Sequence, residues 1–329
     1  MKRIGVNGFG RIGRYFTRMV LENPNMEIAV VNDLADIETL GHLLKYDSVH
    51  RRLKHVFKIE GNELIFENGK KIVFVSERDP EKIPWSDYGV EIVLESTGIF
   101  RTKELASKHL KGGVRKVVMS APSKDDEVRT VVLGVNDNLL EDTDLIVSNA
   151  SCTTNSAAPM VKVMMELCEI ESAFITTIHS YTSDQRLHDA PHRDLRRARA
   201  AAESIVPTTT GAAKALAKIV PELEGHIGGC GVRVPVPDGS MTDLTLVVKS
   251  PPTEEEINSA MKKFAENELK GILDYTEDPI VSVDIIGNPH SCIFDARLTS
   301  VIGNMIKVVG WYDNEAGYSN RLVDLIEKL

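Results

Sequence analysis

The chain has 329 residues, 42% hydrophobic and 26% charged, with a formal net charge of −9. This length predicts two domains and enough buried core to need no disulfide or metal staples. The negative balance disfavours nucleic acid and anionic membrane as partners, so any phosphate site must be a local basic pocket rather than a whole-molecule field. In chain order, Ile4–Asn7 reads as a strand, Arg11–Glu22 as a helix and Ile28–Asn32 as a second strand. Val56–Glu67 and Ile72–Val75 read as an antiparallel excursion, with Glu67-Asn68-Gly69 as its turn. Later strands are expected at Ile92–Glu95, Lys116–Ser120, Thr130–Gly134 and Leu145–Ser148. This alternation predicts an α/β, doubly wound parallel sheet of the Rossmann type.

After Ser148 the pattern changes. Thr154–Glu169 predicts a long helix that begins under Cys152, and Phe174–His179 a strand. Residues 180–205 are polar and rich in arginine, without a clear period, and read as an ordered loop. A helical stretch follows Thr210-Gly211, and strands return at Gly231–Pro235, Ser240–Lys249, Cys292–Leu298 and Met305–Tyr312. Pro251-Pro252-Thr253 followed by three glutamates marks a helix start. The second half is expected to be α+β, with a mixed or antiparallel sheet and helices on one face. No apolar run approaches the roughly 18 residues of a membrane helix. Met1-Lys2-Arg3 leads straight into a strand with no visible signal peptide, which makes the cytoplasm the default expectation.

Gly8-Phe9-Gly10-Arg11-Ile12-Gly13 is a GxGxxG run between a predicted strand and a predicted helix. In that setting Gly8 permits the tight turn, Gly10 lets backbone approach a pyrophosphate, and Gly13 lets helix and strand pack closely. The exposed N–H groups and the helix dipole favour phosphate. Asp33 stands at the end of the second strand, where an acid can bond a ribose 2′-OH and repel a 2′-phosphate. Together these predict NAD as cofactor.

The four cysteines, Cys152, Cys168, Cys230 and Cys292, are too widely spaced for a disulfide scaffold or a paired zinc motif. Reduced thiols and no metal are expected. Cys152 falls at a helix N-terminus, among unpaired N–H donors and the positive dipole end, a setting that favours thiolate. Cys168 is expected inside a helix and Cys230 and Cys292 beside strand starts, all three as small buried hydrophobes. His179 closes a strand and could activate a thiol within its reach and relay protons.

Seven segments, NGFGRIGR at Asn7–Arg14, SNASCTTN at Ser148–Asn155, HSYTSDQ at His179–Gln185, DLRRAR at Asp194–Arg199, TGAAK at Thr210–Lys214, RVP at Arg233–Pro235 and WYDNE at Trp311–Glu315, resemble the glyceraldehyde-3-phosphate dehydrogenase family in matching order. The resemblance implies a dinucleotide-binding domain of residues 1–150 and 315–329, and a catalytic domain of 151–314 in which 180–205 is the S-loop. It implies oxidative phosphorylation of glyceraldehyde 3-phosphate to 1,3-bisphosphoglycerate, through a thiohemiacetal and an acyl thioester on Cys152. His179 would assist deprotonation and steady the oxyanion. Thr182 and Arg233 would hold the substrate phosphate, and Ser151, Thr210, Gly211 and Arg197 the attacking phosphate, with Thr153 beside them. Arg11, Ile12, Thr97, Ser120 and Tyr318 would join the glycines and Asp33 around the cofactor, and Asn314 would hold the nicotinamide carboxamide. The family assembles as a homotetramer.

Three positions depart from the family pattern. Ser156 replaces a common second cysteine, Ala316 replaces a common aromatic residue, and Ala190-Pro191 replaces Leu-Pro in the S-loop. The last substitution opens space near the adenosine ribose and predicts some NADP use. The alternatives are an erythrose-4-phosphate dehydrogenase, or a non-catalytic nucleotide-sensing protein with a vestigial site.

Overall fold

The computed structural model describes residues 1–329. The chain forms two compact units, one of Met1–Val131, Leu139–Ala150 and Ser319–Leu329, the other of Val132–Asn138 and Ser151–Tyr318. No helix is long and apolar enough to cross a membrane.

The first unit contains β1 (Lys2–Asn7), α1 (Arg11–Glu22), β2 (Met26–Asn32), α2 (Ile37–Lys45), the short pair β3 (Tyr46–Asp47) and β4 (Arg51–Arg52), β5 (Phe57–Glu60), β6 (Glu63–Phe66) and β7 (Lys71–Val75). It continues through β8 (Ile92–Glu95), α3 (Lys103–Ser107), β9 (Lys116–Met119), β10 (Arg129–Thr130) and β11 (Ile146–Ser148). Nine strands form one sheet in the order β10-β11-β9-β8-β1-β2-β7-β6-β5. It is parallel from β10 to β7, and β6 and β5 fold back antiparallel. Trp85, Val90, Val93, Val117 and Met119 fill the core on one face. The last turns of the chain also belong here: Lys2 Nζ donates to the carbonyls of Ile326 and Glu327, both at 2.8 Å.

The second unit contains α4 (Cys152–Leu167), β12 (Ile170–Ser180), β13 (Val206–Thr208), α5 (Ala212–Ile219), β14 (Ile227–Val234), β15 (Ser240–Val248) and α6 (Glu254–Glu266). After these come β16 (Leu273–Thr276), β17 (Cys292–Asp295), β18 (Ser300–Ile302), β19 (Met305–Tyr312) and α7 (Ala316–Lys328), which begins in this unit. Its sheet is mixed, in the order β13-β14-β12-β15-β19-β17-β16, with β18 on β19. β12 runs parallel to β14 and antiparallel to β15. Residues 153–161 of α4 are all buried, as expected of a helix surrounded by core rather than amphipathic.

Several boundaries differ from the sequence reading for local reasons. The strand expected at Thr130–Gly134 stops at Thr130. Asn136 Oδ1 accepts from Val132 N at 2.8 Å, and Asp137 Oδ1 from Gly134 N at 2.7 Å, so side-chain carbonyls turn the chain away from a sheet. The strand expected at Cys292–Leu298 ends at Asp295, whose Oδ1 accepts from Arg297 N and opens a single 3-10 turn. The helix α2 was not expected, although Asp36 caps it through Thr39 N at 2.7 Å. Cys168 is not inside a helix but is the C-cap of α4, and Cys230 lies mid-strand. Both are partly exposed, and only Cys292 is buried.

At α6 the sequence signal and the structure coincide. Thr253 Oγ1 accepts from Glu256 N at 3.2 Å while Glu256 Oε2 accepts from Thr253 N at 2.8 Å, a reciprocal capping box. Replacing Thr253 by alanine should cost about 1 kcal/mol of stability. A urea-unfolding midpoint that did not fall would show that the cap contributes nothing.

Candidate active site

The nucleotide end lies in the first unit. Gly8 has φ of 94°, and a Cβ there would sit 2.8 Å from Thr97 N. At Gly13 a Cβ would meet Gly8 O at 2.3 Å, so the start of α1 can lie against β1 only with glycine there. Gly10, the N-cap of α1, has nothing within 4 Å of its missing Cβ and no side-chain cap. The start of α1 thus has no side chain standing over it, which is the arrangement a pyrophosphate needs. Asp33 spans this turn: Oδ2 accepts from Phe9 N at 2.7 Å and Oδ1 from Ala35 N at 3.0 Å. A cavity of about 460 Å³ opens here, with Gly8, Gly10, Asp33, Thr97, Asn7, Asn32 and Phe100 in its wall. These residues fit NAD, with backbone donors for phosphate and a fixed carboxylate for ribose.

Some predicted cofactor residues sit elsewhere. The Arg11 guanidinium pairs with Asp47 at 2.5 and 3.1 Å, so its side chain is turned to that carboxylate. Ile12 lies in the same first turn. Ser120 donates its N–H to Glu95 O at 2.9 Å and does not line the cavity. Tyr318 is buried in α7. Asn7, Glu77 and Arg78 line the cavity without having been expected there; Asn7 was legible, since it opens the glycine run.

The reactive end lies in the second unit, where α4 begins at Cys152. Ser151 caps it, its Oγ accepting from Thr154 N at 3.1 Å. Just before, Ala150 holds φ of 55°, a left-handed conformation that costs roughly 1–2 kcal/mol. Cys152 Sγ lies 3.4 Å from His179 Nε2. In the parallel pair β12·β14, His179 is in register with Arg233. Arg233 NH1 reaches His179 Nδ1 at 2.8 Å and Ser180 O at 3.0 Å.

Nδ1 also lies 2.8 Å from Ser180 O. It thus meets both a guanidinium, which only donates, and a carbonyl, which only accepts, while Nε2 faces the sulfur. Burial, reinforced by the Arg233 cation, holds His179 down at about 3, so imidazolium is disfavoured. Burial pushes the Cys152 thiol up, while Arg233 and the donors of Thr153 pull it down. Arg233 is itself lowered by burial, opposed by the charge on Cys152.

Tyr312 was missed by the sequence reading. It is almost wholly buried, and its hydroxyl lies 2.9 Å from Thr153 Oγ1 and 2.8 Å from Thr177 Oγ1. It ties the start of α4 to β12, while its ring meets the edge of His179 at 5.9 Å. The Thr153 hydroxyl thus serves both Tyr312 and the Cys152 thiol.

Of the expected anion-binding residues, Arg197 is held in the 180–205 loop by Asp184 and by Thr208 Oγ1 at 2.8 Å. Arg197 and Asp184 lie near enough to Arg233 to act on it in opposite directions. Thr210 Oγ1 accepts from Ala212 N at 3.2 Å, and Gly211 is the bare N-cap of α5. Thr182 N–H faces Gln185 Oε1 at 3.4 Å. Asn314 Oδ1 accepts from Ser180 Oγ and Ser240 Oγ, both at 2.8 Å, which points its amide hydrogens the other way.

Comparison with known proteins gives one family. Residues 2–103 match the NAD binding domain of glyceraldehyde 3-phosphate dehydrogenase, and residues 151–314 match its C-terminal domain. The chain is 54% identical over 325 residues to a glyceraldehyde-3-phosphate dehydrogenase of Geobacillus stearothermophilus, covering 98% of this chain and 96% of that protein. It is 54% identical over 326 residues to glyceraldehyde-3-phosphate dehydrogenase 2 of Streptomyces avermitilis, covering 98% and 97%. With glyceraldehyde-3-phosphate dehydrogenase 1 of Bacillus subtilis it shares 50% over 325 residues, covering 98% and 96%. Nothing in these matches favours the erythrose 4-phosphate or vestigial-site readings.

Two outcomes follow from the geometry. Gly13→Ala should lower both the melting temperature and NAD affinity, because its Cβ would strike the Gly8 carbonyl, whereas Gly10→Ala should spare the melting temperature and weaken NAD alone. Equal effects of the two on both readouts would contradict the distinct roles. Arg233→Gln should move thiolate formation on Cys152 to higher pH, since the cation that opposes desolvation is gone. The pH dependence of iodoacetamide alkylation reads this directly, and an unshifted inflection would remove Arg233 from the thiolate's surroundings.

Proposed function

The chain belongs to the glyceraldehyde 3-phosphate dehydrogenase family, and from that premise we propose that it converts glyceraldehyde 3-phosphate and inorganic phosphate to 1,3-bisphosphoglycerate. The observation that carries this reading is His179 Nε2 facing Cys152 Sγ across 3.4 Å, with Arg233 at the other ring nitrogen. The Cys152 thiolate adds to the aldehyde carbon, forming the C–S bond and a thiohemiacetal alkoxide. His179 Nε2–H donates to that oxygen in its developing negative state, where a fixed donor acts most strongly. Bound NAD⁺ supplies the hydride acceptor. As the hydride leaves carbon, the alkoxide pair re-forms C=O and leaves an acyl thioester on Cys152. Inorganic phosphate then attacks the acyl carbon, the C–S bond breaks, and the thiolate is regenerated; the proton of hydrogen phosphate passes to solvent.

His179 is proposed to take the Cys152 proton at Nε2, with Nδ1 donating to Ser180 O, and then to offer that N–H to the oxyanion. Arg233 and Thr182 are proposed to hold the substrate phosphate, with the second NH group and Nε of Arg233 not engaged by His179. Arg197, Ser151, Thr210 and Gly211 are proposed for the attacking phosphate, in which case Arg197 must share or release Asp184. Asn314, with its amide hydrogens directed outward, is proposed to take the nicotinamide carboxamide. The fixed Asp33 carboxylate supports preference for NAD over NADP through charge repulsion, and Ala190 supports some NADP use. The family resemblance supports a homotetramer in the cytoplasm with only these small molecules as obligate partners.

The test is kinetic and chemical together. With substrate and NAD but no phosphate, the enzyme should give one stoichiometric burst of NADH and an acyl adduct on Cys152 by mass spectrometry. Steady turnover should require phosphate, and Cys152→Ser should abolish both. Phosphate-independent turnover, or an adduct on Cys168, Cys230 or Cys292, would overturn the assignment.

A further inference from the structure

Three polar side chains stand in one row at the C-terminal ends of three adjacent parallel strands. Asn7 of β1 is in register with Asn32 of β2 on one side and with Glu95 of β8 on the other. All three are buried. Glu95 has neither lysine nor arginine beside it. Instead its carboxylate accepts from Asn7 Nδ2 at 2.6 Å, from Thr97 N at 2.9 Å, from the Thr97 hydroxyl, and from His109 Nε2 at 3.1 Å.

The direction of every bond in this network is fixed by chemistry. The Trp85 indole can only donate, and its Nε1 lies 3.2 Å from His109 Nδ1. Nδ1 is therefore an acceptor, and the histidine hydrogen sits on Nε2, where it donates to Glu95. A carboxylate only accepts, so Asn7 must present its NH₂ to Glu95 and turn its oxygen to Asn32, whose Nδ2 donates to it at 2.8 Å. Asn32 then grips the backbone of Glu77 with both ends, accepting from Glu77 N at 2.8 Å and donating to Glu77 O at 2.9 Å. Trp85 and His109 are 1% and 0% exposed, so water cannot substitute for any donor in the chain.

Neither Glu95 nor His109 reaches the nucleotide cavity, yet the wall of the cavity hangs on them. Asn7, Asn32, Glu77 and Thr97 all line it. So does Phe100, whose ring meets His109 edge-on with centroids 6.0 Å apart. A buried carboxylate with no strong cation beside it is costly unless every lone pair is used. A core strand end filled with valine would be cheaper for the fold alone.

We propose that Glu95 and His109 are positioning residues for the cofactor: a buried carboxylate, oriented by a histidine whose tautomer Trp85 sets, holds Asn7, Thr97 and Asn32–Glu77 at the spacing that NAD requires. The inference rests on the reading that NAD occupies this cavity. In Glu95→Gln, an amide NH₂ would face the donors of Asn7 or His109, and the wall would shift.

Direct titration of folded protein with NAD⁺ tests this, well below the melting temperature. Glu95→Gln and His109→Leu should each raise the NAD⁺ dissociation constant at least tenfold, and the KM for NAD⁺ should rise by a larger factor than kcat falls. His109→Gln, which retains an N–H donor at reach, should recover most of the affinity lost in His109→Leu. Trp85→Phe removes the indole donor together with some buried ring volume and serves if Glu95→Gln does not fold; it should weaken NAD⁺ in the same direction. A double substitution with Thr97→Ala should be less than additive with Glu95→Gln if the carboxylate acts through Thr97. Should the variants lower the melting temperature yet bind NAD⁺ like the parent, the network is only structural and the proposal fails. Failure of the parent itself to bind NAD⁺ would instead overturn the cofactor assignment.

Discussion

One strand register governs the reactive site. It pairs Arg233 with His179 and sets the guanidinium NH1 at Nδ1, while Nε2 faces the sulfur. The same guanidinium favours charge on Cys152 and disfavours it on His179. Burial opposes the thiolate, and the cation offsets part of that cost, bonding one partner and acting on the other through space. Tyr312 holds the geometry on the opposite side, tying the cysteine helix to the histidine strand through two threonine hydroxyls.

Both halves of the chemistry use the same physical resource, the unpaired N–H groups of a helix start, in opposite ways. At α1 the N-cap is Gly10, whose lack of a side chain keeps that helix start open to an anion from outside. At α4 the N-cap is Ser151, which satisfies one of them internally and fixes the first turn that carries Cys152. A protein of net charge −9 gains nothing from its overall field in binding phosphorylated molecules. What it has instead is local: the start of α1 carries no side-chain cap, and the Arg233 guanidinium lies against His179.

The glycine run, Asp33, the nucleophile at a helix start and the helix Arg11–Glu22 were legible because each depends on neighbours in sequence. Boundaries failed where short polar side chains captured backbone N–H groups, as Asn136 and Asp137 do after Thr130. Such captures leave no trace in apolar periodicity. Arg11 illustrates the opposite limit: it stands inside the phosphate motif, yet its side chain turns to Asp47. Tyr312 and the Glu95–His109 pair went unread because their meaning comes entirely from partners far along the chain, such as Thr153 for the tyrosine and Trp85 for the histidine.

The sequence by itself determined the nucleotide turn, a cysteine at a helix start and the family, because backbone requirements at glycines and helix starts are local and act within a few residues. Only the tertiary structure decided which groups face each imidazole. His179 and Arg233 are 54 residues apart, and Glu95 and His109 belong to different segments of the parallel sheet domain. A histidine's tautomer is set by whichever donor or acceptor faces each ring nitrogen. That pairing is fixed by strand register and side-chain burial, which no single stretch of the chain contains.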